Sequence, residues 1–242
     1  MTILDLEDGV AQSDKEAARK ALVNSSLDPS QVAVRVNPVG SPDHALDLEA
    51  LAKTSYDLVI LAKSESAVQT APLHSFRVIA LCETPAGVLA ATEIACSAPV
   101  VALMWGAEDL MASLGGRSSR GKDGSYRDVA RFARSQVLLA AGAADIPAID
   151  GVHLDLGDEA GQWREALEAV ESGFAATACI HPSQIRAIRR AYMPTDSDIR
   201  WAMSVMDAAE NSPGVFVFGG QMVDAPVLRH AHRILSRSRR ET

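Results

Sequence analysis

Short, wholly apolar runs recur along the chain and alternate with stretches of helical periodicity. The runs lack the apolar–polar alternation of a half-exposed strand, so each predicts a strand buried on both faces, as in parallel sheets. They occupy residues 2–6, 32–36, 58–62, 78–82, 100–105, 149–154 and 177–180. Between them, segments such as 13–23 and 126–141 place aliphatic residues three and four positions apart, with charges between them. The pattern predicts a parallel α/β sheet of seven strands.

Polar side chains follow most of the predicted strands. A closed barrel gathers the ends of all its strands into one rim, where active-site residues collect, whereas an open sheet concentrates them at a single switch point. The spread of polar residues over six strand ends therefore favours a barrel. These residues are Glu7 and Asp8, Arg35 and Asn37, Lys63 and Glu65, Glu83 and Thr84, Glu108 and Asp109, and His181 and Ser183.

The composition narrows the classes of function. Acidic residues outnumber basic ones, 31 to 23, and the net charge of −8 argues against a broad cationic surface for nucleic acid or anionic membranes. Three cysteines without a CxxC pair predict neither a disulfide framework nor a zinc site. No apolar run approaches the roughly 18 residues of a membrane helix, and the first residues do not resemble a signal peptide. We expect a soluble, cytoplasmic protein with no nucleic-acid or membrane partner.

Glu83 and Asp109 are candidate metal ligands. Glu83 closes the fourth predicted strand and Asp109 follows the fifth. If these strands are neighbours, their ends lie about 5 Å apart. Two carboxylates suffice for Mg²⁺, which fills its other positions with water and substrate oxygens. The alternative is that either carboxylate caps a helix, as Asp109 would in the segment GAEDL.

Arg35 lies inside the apolar run VAVRVN, where a guanidinium is costly unless it meets an anion. Its fork of donors suits a substrate carboxylate. An internal salt bridge to Glu7 or Asp8 is the other interpretation, and the two do not exclude each other.

Three further features have both a chemical and a structural interpretation. His181 is a possible base, but its place before Pro182 at a strand end favours a role in orienting its neighbours. Lys63 is a possible Schiff-base lysine, but pairing with nearby acids such as Glu65 is favoured. The glycine-rich loop 115–125 carries cations that suit phosphates, yet it matches no phosphate-binding motif, which favours a mobile polar loop.

Seven motifs, taken in order, cover nearly the whole chain. With them the chain resembles the citrate lyase beta-subunit-like (CitE-like) branch of the HpcH/HpaI aldolase family, and especially its stand-alone actinobacterial members. The motifs are LDLEDGV at 4–10, RVN at 35–37, AKSE at 62–65, ETP at 83–85, GAEDL at 106–110, CIHPSQI at 179–185 and GQMVDAP at 220–226.

The resemblance implies a TIM-type (β/α)₈ barrel over residues 1–210 and a C-terminal helical extension, 211–242, that contributes to the interface of a homotrimer. Family members place a first strand, with a phenylalanine and a proline-glycine motif, and its helix before the DLEDGV strand. Here Met1 stands almost at that strand. We therefore expect seven strands, with strand 2–6 at an edge. Family members also have proline where Ala62 precedes Lys63.

The resemblance also implies roles for the strand-end residues. Glu83 and Asp109 would bind Mg²⁺, and Glu83 would also face the substrate. Arg35 would act in catalysis by binding the substrate carboxylate. The backbone around Gly106 and Ala107 would contact the keto acid.

Further roles follow from the same resemblance. Glu7 and Asp8 would hold metal-bound waters or the arginine. Asp224 would be a catalytic acid–base group donated by a neighbouring subunit. From its position alone, after the strand-like run 215–218 and before Pro226, Asp224 equally predicts an N-cap of the last helix.

The leading hypothesis is a Mg²⁺-dependent lyase or synthase acting on a β-hydroxyacyl-CoA with a second carboxylate, of the malyl-, citramalyl- or hydroxymethylglutaryl-CoA type. Coenzyme A would be part of the substrate, and a small keto acid would be the other reactant. One alternative is a class II aldolase on free hydroxy-keto acids. Another is an inactive or non-autonomous citrate-lyase-like subunit that needs a partner.

Overall fold

A computed structural model describes residues 1–210, 212 and 214–238 of the chain. By their contacts, the residues divide into two compact units, which are described separately. Unit 1 comprises Met1–Leu154 and Ala169–Ile180, and unit 2 comprises Asp155–Glu168 and the chain from His181 onward. This division differs from the predicted boundary after residue 210, and the role of 211–242 at a subunit interface stays a prediction. Residues 211, 213 and 239–242 of that extension lie outside the described part.

Unit 1 is built on a curled sheet of seven parallel strands in sequence order, as predicted. Among the described residues, the first strand pairs only with the second, so it lies at an edge. The last two strands are shorter than predicted, because the seventh offers only two partner residues to the sixth. The strands are β1 (Thr2–Asp5), β2 (Val32–Val36), β3 (Leu58–Leu61), β4 (Arg77–Cys82), β5 (Val100–Trp105), β6 (Ala148–Asp150) and β7 (Ala176–Thr177).

Both faces of this sheet are covered, which explains the absence of apolar–polar alternation. Successive side chains of a strand point to opposite faces. On one face, strand residues such as Val34 and Leu103 belong to a cluster with Ile94 and Val137 from the helices. The opposite face carries a smaller cluster that includes Ala33 and Leu81.

The helices of unit 1 begin where capping residues and prolines predict them. Ser41 and Thr84 accept hydrogen bonds from backbone N–H groups two and three residues ahead, and Pro42 and Pro85 open the helices that follow. The helix predicted at 13–23 starts later, because its first turn is a 3₁₀ turn, Gln12–Asp14. The helices are α1 (Lys15–Val23), α2 (Pro42–Leu51), α3 (Ala67–Thr70), α4 (Pro85–Leu89), α5 (Ala91–Ala95), α6 (Ala107–Ser113) and α7 (Asp128–Ala143).

Loop 115–125 of unit 1 is held by specific contacts. The hydroxyl of the buried Ser119 donates to Glu108 Oε1 at 2.6 Å. The Arg120 guanidinium lies 3.8 Å from the centre of the Tyr126 ring. These contacts tie the loop to the start of α6 and to the residues that precede α7.

The chain continues through α8 (Glu159–Ser172), α9 (Ile185–Tyr192) and α10 (Asp196–Glu210) to the antiparallel pair β8 (Phe216–Phe218) and β9 (Gln221–Val223), and ends in α11 (Ala225–Ser238). In unit 2, α10 and α11 pack together around an apolar cluster that includes Val205, Val223 and Ile234. The strand-like run at 215–218 is thus realised as β8. None of the described helices is long and apolar enough to cross a membrane.

A buried polar network in unit 1 links β5, β6 and α7. The Asp150 carboxylate accepts from Trp105 Nε1 at 2.5 Å and from Arg134 Nε and Nη2 at 2.9 and 3.0 Å. Both charged side chains of this pair are nearly buried, at 12% and 7% exposure. By contrast, Arg131 and Asp128 form an exposed pair on the same helix.

We expect Asp150→Asn to lower the free energy of unfolding by about 3 kcal/mol, because it removes the negative charge that pairs with the nearly buried guanidinium of Arg134. Asp128→Asn is the matched control and should cost less than about 1 kcal/mol. Urea unfolding of both variants checks this prediction. Equal effects would show that the buried network does not stabilise the sheet.

Candidate active site

Charged side chains converge at the carboxyl ends of β1 to β5, at the rim of unit 1. Asp5, Arg35 and Glu83 lie two residues beyond Ile3, Ala33 and Leu81, so strand alternation directs them to one face of the sheet. The turns after β1 and β3, and the first turn of α6, add the remaining members. The cluster consists of the carboxylates Asp5, Glu7, Asp8, Glu83 and Asp109 and the cations Arg35 and Lys63.

Arg35 is held by Asp5, a residue that the sequence analysis missed. The two are partners in the β1–β2 register, and Asp5 accepts from Arg35 Nε and Nη2 at 2.7 and 2.5 Å. Burial alone would raise the pKa of Asp5, but the hydrogen bonds and charge of Arg35 lower it. Arg35 Nη1 also lies 3.3 Å from Glu7 Oε2, so the predicted salt bridge to Glu7 is present. Since a guanidinium has five N–H donors, these contacts leave two for another anion.

Lys63 contacts acids from three different segments. Its ammonium donates to Glu7 and, at 2.8 Å, to Asp8, and it lies 3.3 Å from Asp109 Oδ1. The predicted pairing of Lys63 with acids is thus confirmed, but Glu65, the example suggested, is not among them, because the turn directs the lysine across the rim to these three acids. Burial alone would lower the pKa of Lys63, but the carboxylates raise it. An ammonium so paired is a poor Schiff-base nucleophile, because that reaction needs the neutral amine.

Glu83 is a buried carboxylate, with 3% of its surface exposed. Its Oε1 accepts from the backbone N–H of Lys63 at 3.1 Å. Burial, followed by the negative charge of Asp109, raises the pKa of Glu83 to about 8. The chain passes close to it at Gly106, where a Cβ atom would lie 2.7 Å from Glu83 Oε2. Only glycine fits there without displacing the carboxylate.

Asp109 is not a helix cap. The N-cap of α6 is Gly106, and Asp109 is the third helical residue, without a side-chain capping bond. The first N–H groups of this helix, which include that of Ala107, have no partner within the helix. These N–H groups lie at the N-terminal end of α6, which Gly106 brings close to Glu83. Their position is compatible with the predicted contact to the keto acid.

The donor set suits a hard divalent cation. Five carboxylates face two cationic side chains, so the ionised cluster carries surplus negative charge, which adds to burial in raising the pKa of Glu83. No group of three or more Asp, Glu, His or Cys among the described residues is arranged to hold a metal by itself. Mg²⁺ needs only one or two protein carboxylates. The pair Glu83 and Asp109 therefore fits Mg²⁺ better than zinc or calcium, which need more protein ligands.

An open cleft of about 440 Å³ adjoins the cluster. Glu7, Asp8 and Lys63 form one side of it, and Asn37 and Pro38 belong to another. Small carboxylic acids fit in a space of this size.

The two other predicted residues lie in unit 2. Asp224 Oδ1 accepts from the backbone N–H of Val227 at 3.3 Å, so Asp224 caps α11, as its position predicted. This contact does not test its predicted role at a neighbouring subunit. His181 is the cap of a 3₁₀ turn, and its Nδ1 lies 2.8 Å from Ser183 Oγ. The structure thus favours the orienting role for this histidine.

Comparisons with known proteins agree with this fold. Residues 1–182 match the HpcH/HpaI aldolase/citrate lyase family. A citrate lyase subunit beta-like protein of Mycobacterium tuberculosis is 53% identical over 238 residues, which cover 98% of this chain and 87% of that protein. The mitochondrial citramalyl-CoA lyase of Mus musculus is 31% identical over 267 residues, covering 97% and 78%.

A solved structure extends the comparison to three dimensions. The crystal structure of CitE from Mycobacterium tuberculosis, in complex with magnesium, acetoacetate and coenzyme A, matches with a TM-score of 0.93 at 53% identity. The match covers 98% of this chain and 88% of that one. The curled sheet is thus that of the TIM-barrel fold of this family, and the relatives indicate an enzyme that acts on carbon–carbon bonds. The chain belongs to the HpcH/HpaI aldolase/citrate lyase family, as its motifs predicted.

Proposed function

We propose that the chain is a Mg²⁺-dependent lyase that cleaves, or in reverse forms, a carbon–carbon bond in a β-hydroxyacyl-CoA with a distal carboxylate. The observation that carries this proposal is the charged cluster of unit 1, where Glu83 and Asp109 supply surplus carboxylate oxygens beside the guanidinium of Arg35. Two relatives support the class of substrate. One is named for citramalyl-CoA, and the other was crystallised with magnesium, acetoacetate and coenzyme A.

Glu83 and Asp109 would hold the metal, and water and substrate oxygens would complete its coordination. When bound, Mg²⁺ supplies a Lewis acid that polarises the oxygen of the developing keto group. Glu7 and Asp8 hold Lys63, and Glu7 also contacts Arg35, so both keep the cations of the cluster in place.

Arg35 would bind the distal carboxylate through the two N–H donors that Asp5 and Glu7 leave available. Asp5 fixes the plane of the guanidinium, so Arg35 meets the substrate with little loss of side-chain entropy. The backbone N–H groups at Gly106 and Ala107 would orient the keto-acid end.

Asp224 would be the base, supplied by a neighbouring subunit of a homotrimer through the extension 211–242. In the cleavage direction it would take the proton of the β-hydroxyl group. The carbon–carbon bond would then break to a keto acid and a thioester enolate, and the protonated carboxyl group would return its proton to the α-carbon of the enolate. In the reverse direction the same carboxylate would remove that α-proton. The trimer and a cytoplasmic location stay predictions.

Removal of either carboxylate ligand should weaken metal binding. We expect Glu83→Gln and Asp109→Asn to raise the Kd for Mg²⁺ at least about tenfold, with an unchanged circular dichroism spectrum, since each amide keeps the shape of the carboxyl group it replaces. Calorimetric titration measures this. Glu65→Gln, an exposed carboxylate at the end of β3, is the control and should bind like the wild type. Near-native binding by Glu83→Gln would show that the metal site is assigned wrongly.

The class of substrate is tested with malyl-, citramalyl- and hydroxymethylglutaryl-CoA, with Mg²⁺ and with a chelator. We expect turnover of at least one thioester, dependent on Mg²⁺, and none of 3-hydroxybutyryl-CoA, which lacks the distal carboxylate. Arg35→Lys should lower kcat/KM on the order of 100-fold, because a point charge does not replace a planar fork. Turnover of free hydroxy-keto acids, and of none of the thioesters, would indicate the class II aldolase, and no turnover without a protein partner would indicate a dependent subunit.

Asp224 is tested by subunit mixing. Asp224→Ala should stay folded and oligomeric but lose most turnover. When it is mixed with Glu83→Gln under conditions of subunit exchange, part of the activity should return, since some sites combine an intact metal ligand with an intact base. No recovery, with exchange confirmed by labelled subunits, would leave Asp224 with its capping role alone.

A further inference from the structure

Lys63 is the described residue that contacts both carboxylates assigned to the metal. Its backbone N–H donates to Glu83 Oε1 at 3.1 Å, and its ammonium lies 3.3 Å from Asp109 Oδ1. Its backbone is in the left-handed region, with φ of 49°. A lysine adopts this conformation only at a cost, so its neighbours must hold it there. The turn is therefore built to bring one cation to this point of the rim.

The ammonium of Lys63 offsets part of the negative charge of the cluster. Arg35 is engaged by Asp5 through two hydrogen bonds and also contacts Glu7, whereas Lys63 is the described cation that lies between Glu7, Asp8 and Asp109. Without it, these acids would face one another across a partly buried space, where like charges repel more strongly than in water.

A bound metal would change this balance. A cation held by Asp109 would be a second positive charge at the carboxylate whose Oδ1 lies 3.3 Å from the Lys63 ammonium, so the two like charges would repel. Glu7 and Asp8 already accept from the ammonium, so it keeps two partners if it leaves Asp109.

We propose that Lys63 is a built-in counter-ion, which stabilises the site without metal and which Mg²⁺ must displace from Asp109. This inference rests on the proposed metal site. Lys63 is thus a positioning residue that sets the affinity for the metal: it weakens Mg²⁺ binding, and it keeps the carboxylates in place for the ion.

The experiment compares Lys63→Met, which removes the charge at similar length, with Lys63→Arg, which keeps it. Lys20→Met removes an exposed lysine that pairs with Glu16 on α1 and is the control. Calorimetry gives the Kd for Mg²⁺, and thermal unfolding gives Tm in chelator and in saturating Mg²⁺. Lys63→Met should bind Mg²⁺ about tenfold more tightly than the wild type, a difference of about 1.4 kcal/mol. Its Tm in chelator should be lower, and Mg²⁺ should raise it by more than in the wild type.

Lys63→Arg and Lys20→Met should bind Mg²⁺ like the wild type. If Lys63→Met binds Mg²⁺ as the wild type does, or more weakly, while Glu83→Gln still weakens Mg²⁺ binding, the counter-ion proposal is overturned and the metal site stands. Absence of Mg²⁺ binding by the wild-type protein would overturn both. If Lys63→Met does not fold, Lys63→Gln, which is neutral but still donates hydrogen bonds, is measured against the same outcomes.

Discussion

The surplus of carboxylates at one rim of the sheet is the constraint on which the site depends. Like charges repel more strongly where they are shielded from water, and burial together with the negative charge of Asp109 raises the pKa of Glu83. The positive charges of Arg35 and Lys63 offset part of the repulsion between the carboxylates. The rest is relieved by a proton on Glu83 or by a divalent cation, and this competition links the electrostatics of the rim to its proposed chemistry.

The sheet makes this concentration of charge possible. Strands buried on both faces give a rigid frame, and the alternation of side chains turns two-residue spacing into a common direction for Asp5, Arg35 and Glu83. The register pairs Asp5 with Arg35 before any ligand arrives. Gly106 lets α6 start against Glu83, which brings Asp109 to the same place. The positions of these charged groups are thus set by the backbone: by the alternation and register of the strands and by the start of α6.

The sequence alone pointed to those candidate site residues whose significance can be recognised from their place relative to a single apolar run. Glu83, Asp109 and Arg35 stood out because polar residues at the ends of apolar runs have few structural explanations. Asp5 was missed because its significance depends on register, which places it opposite Arg35 and is not visible within either strand. For a similar reason the sequence pointed to Glu65 as a partner of Lys63. The left-handed turn at Lys63 directs its side chain to Glu7 instead. The proposed role of Asp224 in catalysis depends on a second subunit, whereas its capping role follows from its position at the start of α11.

The most direct test of this account is a titration with Mn²⁺, a paramagnetic substitute for Mg²⁺, followed by electron paramagnetic resonance and water-proton relaxation. A site with two protein carboxylates leaves several coordination positions to water. The account predicts one Mn²⁺ per chain, strong relaxation enhancement from exchanging waters, and a decrease of that enhancement when a keto acid such as acetoacetate replaces some of them. Binding of no Mn²⁺ at the rim, or enhancement unaffected by the keto acid, would contradict it.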